Sequence, residues 1–417
     1  MSGLGERRKL NAAAVDERYR NTCLVAKTRS VISLGVSTFT WTQPSSSESS
    51  SVSSWRYKVK TYNFLVLCSE DYIVEPGSLQ FLVQHGFDFS AQYSLGIGYN
   101  RGKLSSIQNN HSQFHDVSGN DPEDCGEAKQ KNPQHLREIF NMMVSARRPV
   151  VLHNGLVDLV FLYHNFWAAL PPKLDTFISD VGELFPAGVY DTKYIADYVA
   201  RTQASYLEFV FKKEMRNNVE KWSKDRPHVR VVMEEYDDDD KDVDMRYVGG
   251  AGDGDDGEVC PSYADHGHCP ESDQCSLSHD IDQIVQVKTA EQDKKWRKRK
   301  IENTGVTDAV PKKVSKVDTN DKDAGDKKVK SGGHRAGYDA FMTGFSFSTF
   351  LVHHTQLPRI ISSWSSDVIK TEKIVNRIYL VSKDFPLLLQ KSSFAKCSVQ
   401  HDLKMKRLGL QSDQVKP

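Results

Sequence analysis

The stretch RPVVLHNGLVDLVFLYHNF at 148–166 combines a short apolar run, the turn residues HNG and a mostly apolar continuation. This order is typical of a buried strand that leads through a loop into a helix. Upstream, TRSVISLGVSTF (28–39) and the alternating YKVKTYNFLVL (57–67) predict two strands, and apolar residues at helical spacing over 136–143 predict a helix. The sequence therefore predicts an α/β fold, a mixed sheet with helices on its faces.

Composition limits the possible classes of protein. Of the 417 residues, 38% are hydrophobic and 26% are charged, which predicts a soluble protein with globular parts. Seven cysteines, an odd number with three of them between 260 and 275, argue against a disulfide framework and favour one metal site in a reducing compartment. The charged N-terminal segment lacks a signal-peptide core, and no apolar run is long enough to predict a membrane span.

Charge is segregated along the chain although the net charge is zero. The segment 216–257 is polar and contains four consecutive acids at 237–240, so it is predicted to be an acidic linker. An alternative is that these acids mimic phosphates and cover an RNA groove. The segment 285–331 is rich in lysine and aspartate and is predicted to be disordered.

A predicted metal site lies between these two segments. In CPSYADHGHCPESDQCSLSH (260–279), the residues Cys260, Cys269, Cys275 and His279 have the spacing C-x8-C-x5-C-x3-H. Four such ligands can complete a tetrahedral zinc shell, which would stabilise a segment with almost no apolar core. The alternative is three free thiols near a histidine by chance. We predict one structural zinc ion in a CCCH finger spanning 258–284.

CCCH fingers commonly bind single-stranded RNA by stacking bases on side chains between the ligands. Tyr263 and His268 are the candidates for this contact. The acidic neighbours Asp265, Glu271 and Asp273 weaken the case for phosphate binding, so a finger that binds protein stays open.

Two basic clusters follow the finger. KKWRKRK at 294–300 and PKKVSK at 311–316 are typical of nuclear-import signals, and non-specific contact with nucleic acid is the alternative. The candidate residues of the first cluster are Lys294, Lys295, Arg297, Lys298, Arg299 and Lys300.

The chemistry is predicted from two acid-bearing segments. In HNGLVD (153–158), Asp158 lies one helical turn beyond Asn154, and in HRAGYDAFMTG (334–344), His334 precedes a helix that carries Asp339. Carboxylates that hold two magnesium ions roughly 4 Å apart, with a histidine that deprotonates water, suit phosphodiester hydrolysis. The alternatives are a charge favoured by the helix dipole for Asp158 and a solvated loop histidine for His334.

Three segments, HNGLVDLVFLY, FPAGVYDTKY (185–194) and HRAGYDAFMTG, resemble the DEDDh exonucleases of the deadenylase family. With the finger and the basic clusters between the last two, the chain is similar to the nuclear branch of that family. The resemblance covers residues 1 to about 215 and 258–417. It implies a ribonuclease-H-like fold split by an insertion, with nuclease parts at 1–215 and 332–417.

The resemblance also implies roles for individual residues. Asp158 and Asp339 match magnesium ligands, His334 matches the general base, and Asn154 is a candidate RNA contact. The implied activity is removal of 3′ adenosines or tails from RNA, with small nuclear RNA as the expected substrate. An import receptor is a further expected partner, and the expected location is the nucleus, including nucleoli and Cajal bodies.

The first motif of the family is incomplete in this sequence. Ser2 to Gly5 match the end of D-x-E-L-S-G-L-G, and the aspartate and glutamate are absent. Asp16 and Glu17 are adjacent in helical sequence and would diverge by about 100°, and Asp121 and Glu123 enclose a proline in a polar loop. We therefore expect that this sequence is a truncated gene model or isoform and lacks catalytic activity as written. The full-length product is expected to be a magnesium-dependent 3′ exoribonuclease. The alternative is a catalytically dead adaptor that binds RNA through its finger.

Overall fold

The structure is a computed structural model and describes most of the chain. The described residues are 1–42, 54–102, 135–234, 240–242, 257–271, 274–304, 336–354 and 373–410. The helices are α1 (Arg7–Leu10), α2 (Val15–Thr28), α3 (Pro76–Gln84), α4 (Phe89–Leu95), α5 (His135–Ser145), α6 (Leu156–Leu162), α7 (Leu174–Leu184), α8 (Thr192–Tyr194), α9 (Leu207–Ser223), α10 (Pro261–His266), α11 (Ile281–Thr304), α12 (Ala336–His354) and α13 (Val399–Arg407). The strands are β1 (Ser33–Thr42), β2 (Ser54–Cys68), β3 (Ile97–Tyr99), β4 (Val150–Leu152), β5 (Val189–Asp191), β6 (His228–Glu234), β7 (Asp240–Asp242), β8 (Arg377–Ile378) and β9 (Leu387–Leu388).

The described strands form two mixed sheets. In the first, the order is β1-β2-β6-β7, and β3 pairs with β2. Its β1–β2 pair is antiparallel, whereas β6 and β3 run parallel to β2. The second sheet has the order β4-β5-β8-β9, with β5 parallel to both of its neighbours. The α/β architecture with mixed pairing is therefore confirmed, although the strands divide between two sheets.

The three elements predicted around 136–166 are confirmed. They are α5, β4 and α6, and α6 continues as a π-helical turn over Tyr163–Trp167. This turn is fully buried, and Phe166 and Trp167 pack in the largest core cluster together with Phe140 of α5. The site loop HNG is thus held between a strand and a helix that are both anchored in the core.

Helix α12 joins the later part of the chain to the first sheet. Phe341 and Phe345 of α12 are buried in one cluster with Tyr57 and Val59 of β2 and Phe211 of α9. A long segment separates α11 from α12 in the sequence, yet α12 packs on strands from the beginning of the chain. The insertion within the fold stays a prediction.

The predicted acidic linker at 216–257 is wrong for its first half. Helix α9 continues to Ser223, and β6 adds to the first sheet beside β2. Asn218 fixes this connection, because its side chain donates to the carbonyl oxygen of Val229 and accepts from the Val229 amide. Val229 and Val231, two residues apart, are both buried in the core, as expected for one face of a strand. This pattern is short and is surrounded by charged residues, so the sequence did not reveal the strand. The residues 235–239 and 243–256 lie outside the described part.

The predicted disorder of 285–331 is also wrong at its start. Helix α11 extends through 285–304, and its first turn is anchored because Ile281, Ile284 and Val285 are buried. The remaining positions are mostly lysine, arginine, glutamate and glutamine, which have good helix propensity although their composition suggests disorder. Residues 305–331 lie outside the described part.

The C-terminal segment adds two strands to the second sheet. Strand β8 pairs in parallel with β5, and β9 pairs antiparallel with β8. Among the described helices, none combines the length and apolar character needed to cross a membrane.

Candidate active site and zinc centre

The HNG loop is fixed by a buried carboxylate. Asn154 has a left-handed backbone with φ of 60°, a conformation that asparagine tolerates better than most residues. The carboxylate of Asp191 accepts from the amides of Asn154 at 2.8 Å and Gly155 at 3.1 Å. A side chain at position 155 would approach the Cβ atom of Leu152 to 2.6 Å, so glycine is required there. Helix α6 can therefore begin at Leu156, which places Asp158 in its first turn.

Asp191 also connects this loop to two other segments. It is fully buried at the end of β5, and it accepts from the amides of Lys193 and Tyr379, each at 3.0 Å. Burial raises the pKa of Asp191, although these amide donors act against the shift. The sequence reasoning gave Asp191 no role. The available signal was an acid at the end of an apolar strand, directly before a helical turn.

Asp158 lies within a group of acidic side chains. Burial, together with the charges of Asp191 and Asp339, raises the pKa of Asp158 to about 6, and the nearby Met1 amino group opposes this shift. The charge of Asp339 therefore reaches Asp158, and the role of the two acids as magnesium ligands stays a prediction. Because Asp191 is occupied by backbone amides, Asp158 and Asp339 are the pair suited to a shared cation.

Asp339 is positioned by close packing at the start of α12. The amide of Gly337 donates to Oδ1 of Asn63 at 3.0 Å. At Gly35 of β1, an added Cβ atom would lie 1.8 Å from the carbonyl oxygen of Ala336, so only glycine permits this approach. The helix therefore starts directly on the β1–β2 hairpin. His334 lies outside the described residues, and its role as general base stays a prediction.

The acidic pair fits a divalent cation. Carboxylate oxygens are hard ligands that suit magnesium, and two carboxylates held together in a partly buried site are stabilised by a cation between them. Asp158 and Asp339 would hold such an ion. The acids of the first family motif, which the resemblance assigns to the same site, are absent from this sequence.

A cleft opens beside the HNG loop and has a volume of about 530 Å³. Its lining includes Asn154, Val157, Lys193 and Tyr379 from the nuclease part and His266 from α10. Lys193 lies with its ammonium group 5.0 Å from the centre of the Tyr379 ring and donates to the Ser205 carbonyl oxygen at 3.0 Å. The predicted RNA contact Asn154 is exposed in this cleft.

The four predicted zinc ligands converge. Ligand atoms of Cys260, Cys269, Cys275 and His279 all lie within 4.8 Å of one another. Nε2 of His279 is buried without a hydrogen-bond partner, which is unfavourable for an imidazole unless a metal or another group satisfies it. Three thiols and one imidazole in this arrangement fit a tetrahedral zinc ion. Zinc as the bound metal stays a prediction.

The finger residues predicted to stack on RNA differ in exposure. The ring of Tyr263 stacks on His279, with 4.5 Å between ring centres, so one face is covered. His268 is exposed. Asp265 pairs with Lys288 at 2.5 Å, which reduces the repulsion of phosphates that its charge suggested. Glu271 is exposed, and Asp273 lies outside the described residues. RNA binding by Tyr263 and His268 stays a prediction.

The first basic cluster lies on α11. Lys294, Lys295, Arg297 and Lys298 are exposed on this helix. The side chains of Arg299 and Lys300 and the second cluster at 311–316 fall outside the described part. Import through these residues stays a prediction.

A second group of possible metal ligands consists of Glu183, Cys397, His401 and Asp402. The Trp167 indole donates to Nδ1 of His401 at 3.2 Å, so the neutral imidazole carries its proton on Nε2 and donates it to Glu183 at 3.3 Å. The Lys391 ammonium lies 2.6 Å from the same carboxylate. These contacts occupy both ring nitrogens of His401 and pair the carboxylate of Glu183, which a cation would need as ligands. We therefore interpret the group as a hydrogen-bond network that holds α13 to α7.

Comparisons with known proteins agree with the nuclease interpretation. The family model described as CAF1 family ribonuclease matches residues 1–347. Over 57 residues, 14% of this chain, the sequence is 39% identical to poly(A)-specific ribonuclease PNLDC1 of Homo sapiens, of which this covers 11%. Over 63 residues it is 29% identical to the pre-piRNA 3'-exonuclease trimmer of Bombyx mori, covering 12% of that protein. The chain thus matches about a tenth of the length of these relatives.

Proposed function

Because this chain belongs to the CAF1 family of ribonucleases, we propose that it is a 3′-to-5′ exoribonuclease of the deadenylase type that removes 3′ adenosines from RNA. The observation that carries the proposal is the match to the ribonuclease family over residues 1–347, and the acids Asp158 and Asp339 and a neighbouring cleft with cationic and aromatic side chains support it. The names of the two relatives, a poly(A)-specific ribonuclease and a 3'-exonuclease trimmer, support the same class of reaction.

Each residue of the site has a separate role in the proposed hydrolysis. Bound magnesium supplies a Lewis acid and lowers the pKa of a bound water. Asp158 and Asp339 would hold the ion, and Asp191 keeps Asp158 in place by fixing the loop before it. Lys193 and Asn154 line the cleft where they can contact the terminal nucleotide. His334 accepts the proton of the attacking water in the role that the resemblance implies.

A direct test uses purified protein, magnesium and single-stranded RNA with a labelled 5′ end and a run of 3′ adenosines. We expect products that shorten one nucleotide at a time when the aspartate and glutamate of the first family motif are present ahead of Ser2, and loss of this activity in Asp158→Asn and Asp339→Asn. Without those two acids we expect no shortening. Asp16→Asn is the matched control, because Asp16 is an exposed carboxylate on α2. Hydrolysis that survives both site substitutions would contradict the proposal.

The cellular substrate and location are finer parts of the proposal. The finger and the basic residues on α11 support a nuclear enzyme that trims the 3′ tails of small nuclear RNA. Cross-linking followed by sequencing of bound RNA 3′ ends tests the substrate, and fluorescence microscopy before and after Lys294→Ala, Lys295→Ala and Arg297→Ala tests nuclear import. Predominantly cytoplasmic protein bound to messenger RNA would contradict this part.

The second candidate is an RNA-binding adaptor without catalytic activity. It is favoured by one observation, namely that Asp191, the further acid near Asp158, is fully engaged by backbone amides. In the same assay, an adaptor would bind the labelled RNA and leave its length unchanged at every magnesium concentration. Its binding would fall after loss of a zinc ligand and would not depend on Asp158 or Asp339.

A further inference from the structure

The finger is packed on the nuclease part. Ala204 and Phe209 of the nuclease part share a buried cluster with Ala264 of α10 and with Ile284 and Val285 of α11. This cluster contains side chains from before, within and after the finger. The contact is therefore a small hydrophobic core, and the finger cannot be treated as a freely jointed module.

Two contacts at the edge of this cluster fix the orientation of the finger. At Gly267, which ends α10 with φ of 66°, the backbone lies so close to Tyr206 that an added Cβ atom would be 2.6 Å from the ring. On the other side, the carboxylate of Asp282 pairs with Lys212 and Arg216, both at 3.1 Å. Asp282 is partly buried, so water screens these ion pairs less than it screens pairs at an open surface.

The docked finger forms one side of the cleft beside Asn154. Asp265 and His266 of α10 line the cleft opposite residues of the N-terminal segment, the HNG loop and the C-terminal segment. The volume of about 530 Å³ lies in the range of ligand pockets and suits a strand end better than a duplex. Val157 also lines the cleft, so the cleft extends to the residue directly before Asp158.

The lining of this cleft is suited to an anionic, aromatic ligand. Arg7, Arg18 and Lys193 contribute three cationic groups, whereas the single carboxylate, Asp265, is paired with Lys288. Tyr206 lines the cleft, and its hydroxyl is buried without a hydrogen-bond partner in the structure. Phosphates and bases of a single strand supply the charges, acceptors and ring faces that such a lining binds.

We propose that the zinc finger is a fixed wall of the RNA cleft, in which His266 contacts the single-stranded 3′ end while Asp282 and Gly267 hold the wall against the nuclease part. This inference rests on the proposed function and adds a role for the finger within the substrate site. It differs from an independent finger that binds RNA through its exposed side chains, such as His268. Zinc loading then affects the nuclease site because it maintains this wall.

The experiment measures binding separately from hydrolysis. The full chain carrying Asp339→Asn is titrated without magnesium against a short oligoadenosine with a fluorescent 5′ end, and anisotropy gives the Kd. We expect His266→Ala to weaken binding about fivefold or more, the lower end of what loss of one stacking contact causes. Ser262→Ala, at an exposed position of the same helix α10 and outside the cleft lining, is the matched control and is expected to change the Kd by less than about twofold. His268→Ala tests the alternative of an independent finger.

A second pair of variants tests the docking. Asp282→Ala removes the partner of Lys212 and Arg216 without changing the cleft lining, and we expect weaker oligoadenosine binding at unchanged zinc content. Glu220→Ala breaks an exposed ion pair with Lys224 on the same helix α9 and is the matched control. The zinc content is measured on each variant, so that loss of the finger fold is recognised.

The outcomes separate this inference from the proposed function. If His266→Ala and Asp282→Ala both bind as tightly as the parent protein, or if His268→Ala weakens binding as much as His266→Ala, the fixed wall is wrong even when the enzyme hydrolyses RNA. If binding depends on His266 and the protein with both first-motif acids never shortens RNA, the fixed wall is supported and the proposed hydrolysis is wrong.

Discussion

The finger ligands all lie within 260–279, whereas Asp158 and Asp339 belong to α6 and α12, which are far apart in sequence. The ligands of the finger can meet through local turns, so their spacing alone predicts the cluster. The positions of the acids depend on tertiary packing, because α12 packs on the β1–β2 hairpin and Asp191 fixes the HNG loop. A local site depends mainly on its own ligands, and an assembled site depends on buried residues that never touch the substrate.

The largest effect is expected at a zinc ligand. Cys260→Ser removes one of four ligands, and structural zinc contributes on the order of 10 kcal/mol to the folding of small zinc domains. We expect loss of bound zinc and rapid proteolysis within 258–284, measured by metal analysis and limited digestion. Cys397→Ser is the control, because Cys397 lies in the Glu183 network and should leave the zinc content unchanged. Equal zinc content in both variants would contradict the assignment.

At the assembled site, the largest loss of stability is expected at Asp191. Asp191→Ala leaves several buried amides without an acceptor, and we expect the free energy of unfolding to fall by about 3 kcal/mol or more. Urea denaturation measures the change. Asp175→Ala replaces an exposed acid in the first turn of α7 and should cost less than about 1 kcal/mol. Similar losses for both variants would show that Asp191 does not organise the loop.

The loop should also make the protein sensitive to acid. His153 donates or accepts at Thr192 Oγ1 over 2.9 Å, and burial lowers the pKa of His153 to about 3. Below about pH 6.5 the unfolded chain binds a proton that the folded chain does not bind, so stability falls as the pH decreases toward 3. Because of His153 alone, the free energy of unfolding falls by about 2 kcal/mol between pH 7 and pH 5.

This pH effect is measured by comparing urea denaturation at pH 7 and pH 5. His153→Asn should reduce the loss of stability between the two pH values by about 2 kcal/mol, although it lowers stability at pH 7. His85→Asn, at a half-buried position directly after α3, is the control and should keep the pH dependence of the unsubstituted protein. An unchanged slope in His153→Asn would mean that this imidazole is protonated in the folded state.

The smallest effect is expected at the junction of the two regions. Gly267→Ala introduces a side chain at positive φ and against Tyr206, at a cost of about 1 to 3 kcal/mol that should appear as faster hydrogen exchange in α10. Gly409→Ala has nearly the same φ, 65°, with open space around it, so it separates backbone strain from the contact with Tyr206. If both variants behave alike, the finger is not held by this contact.

The success of the sequence predictions follows the same division. Strands β2 and β4 and helices α5 and α6 were predicted because their apolar periodicity is strong and local. Strand β6 and the anchored start of α11 were missed because a few apolar residues are surrounded by charge, and only burial against β2 and α9 reveals them. Asp191 was missed for a related reason. Its partners are backbone amides from three segments, and the pattern of side chains in a sequence does not predict such contacts.

The sequence by itself determined the ligand set of the finger, the order of the principal strands and helices, and the acids expected to act in hydrolysis. These features depend on residue type and short spacing, which a chain carries before it folds. Tertiary structure decided that α12, with Asp339, packs on the β1–β2 hairpin, that Asp191 fixes the loop before Asp158, and that the finger packs against α9. Such contacts form between residues that are distant in sequence, where the free energy of burying apolar and charged groups selects one arrangement among many.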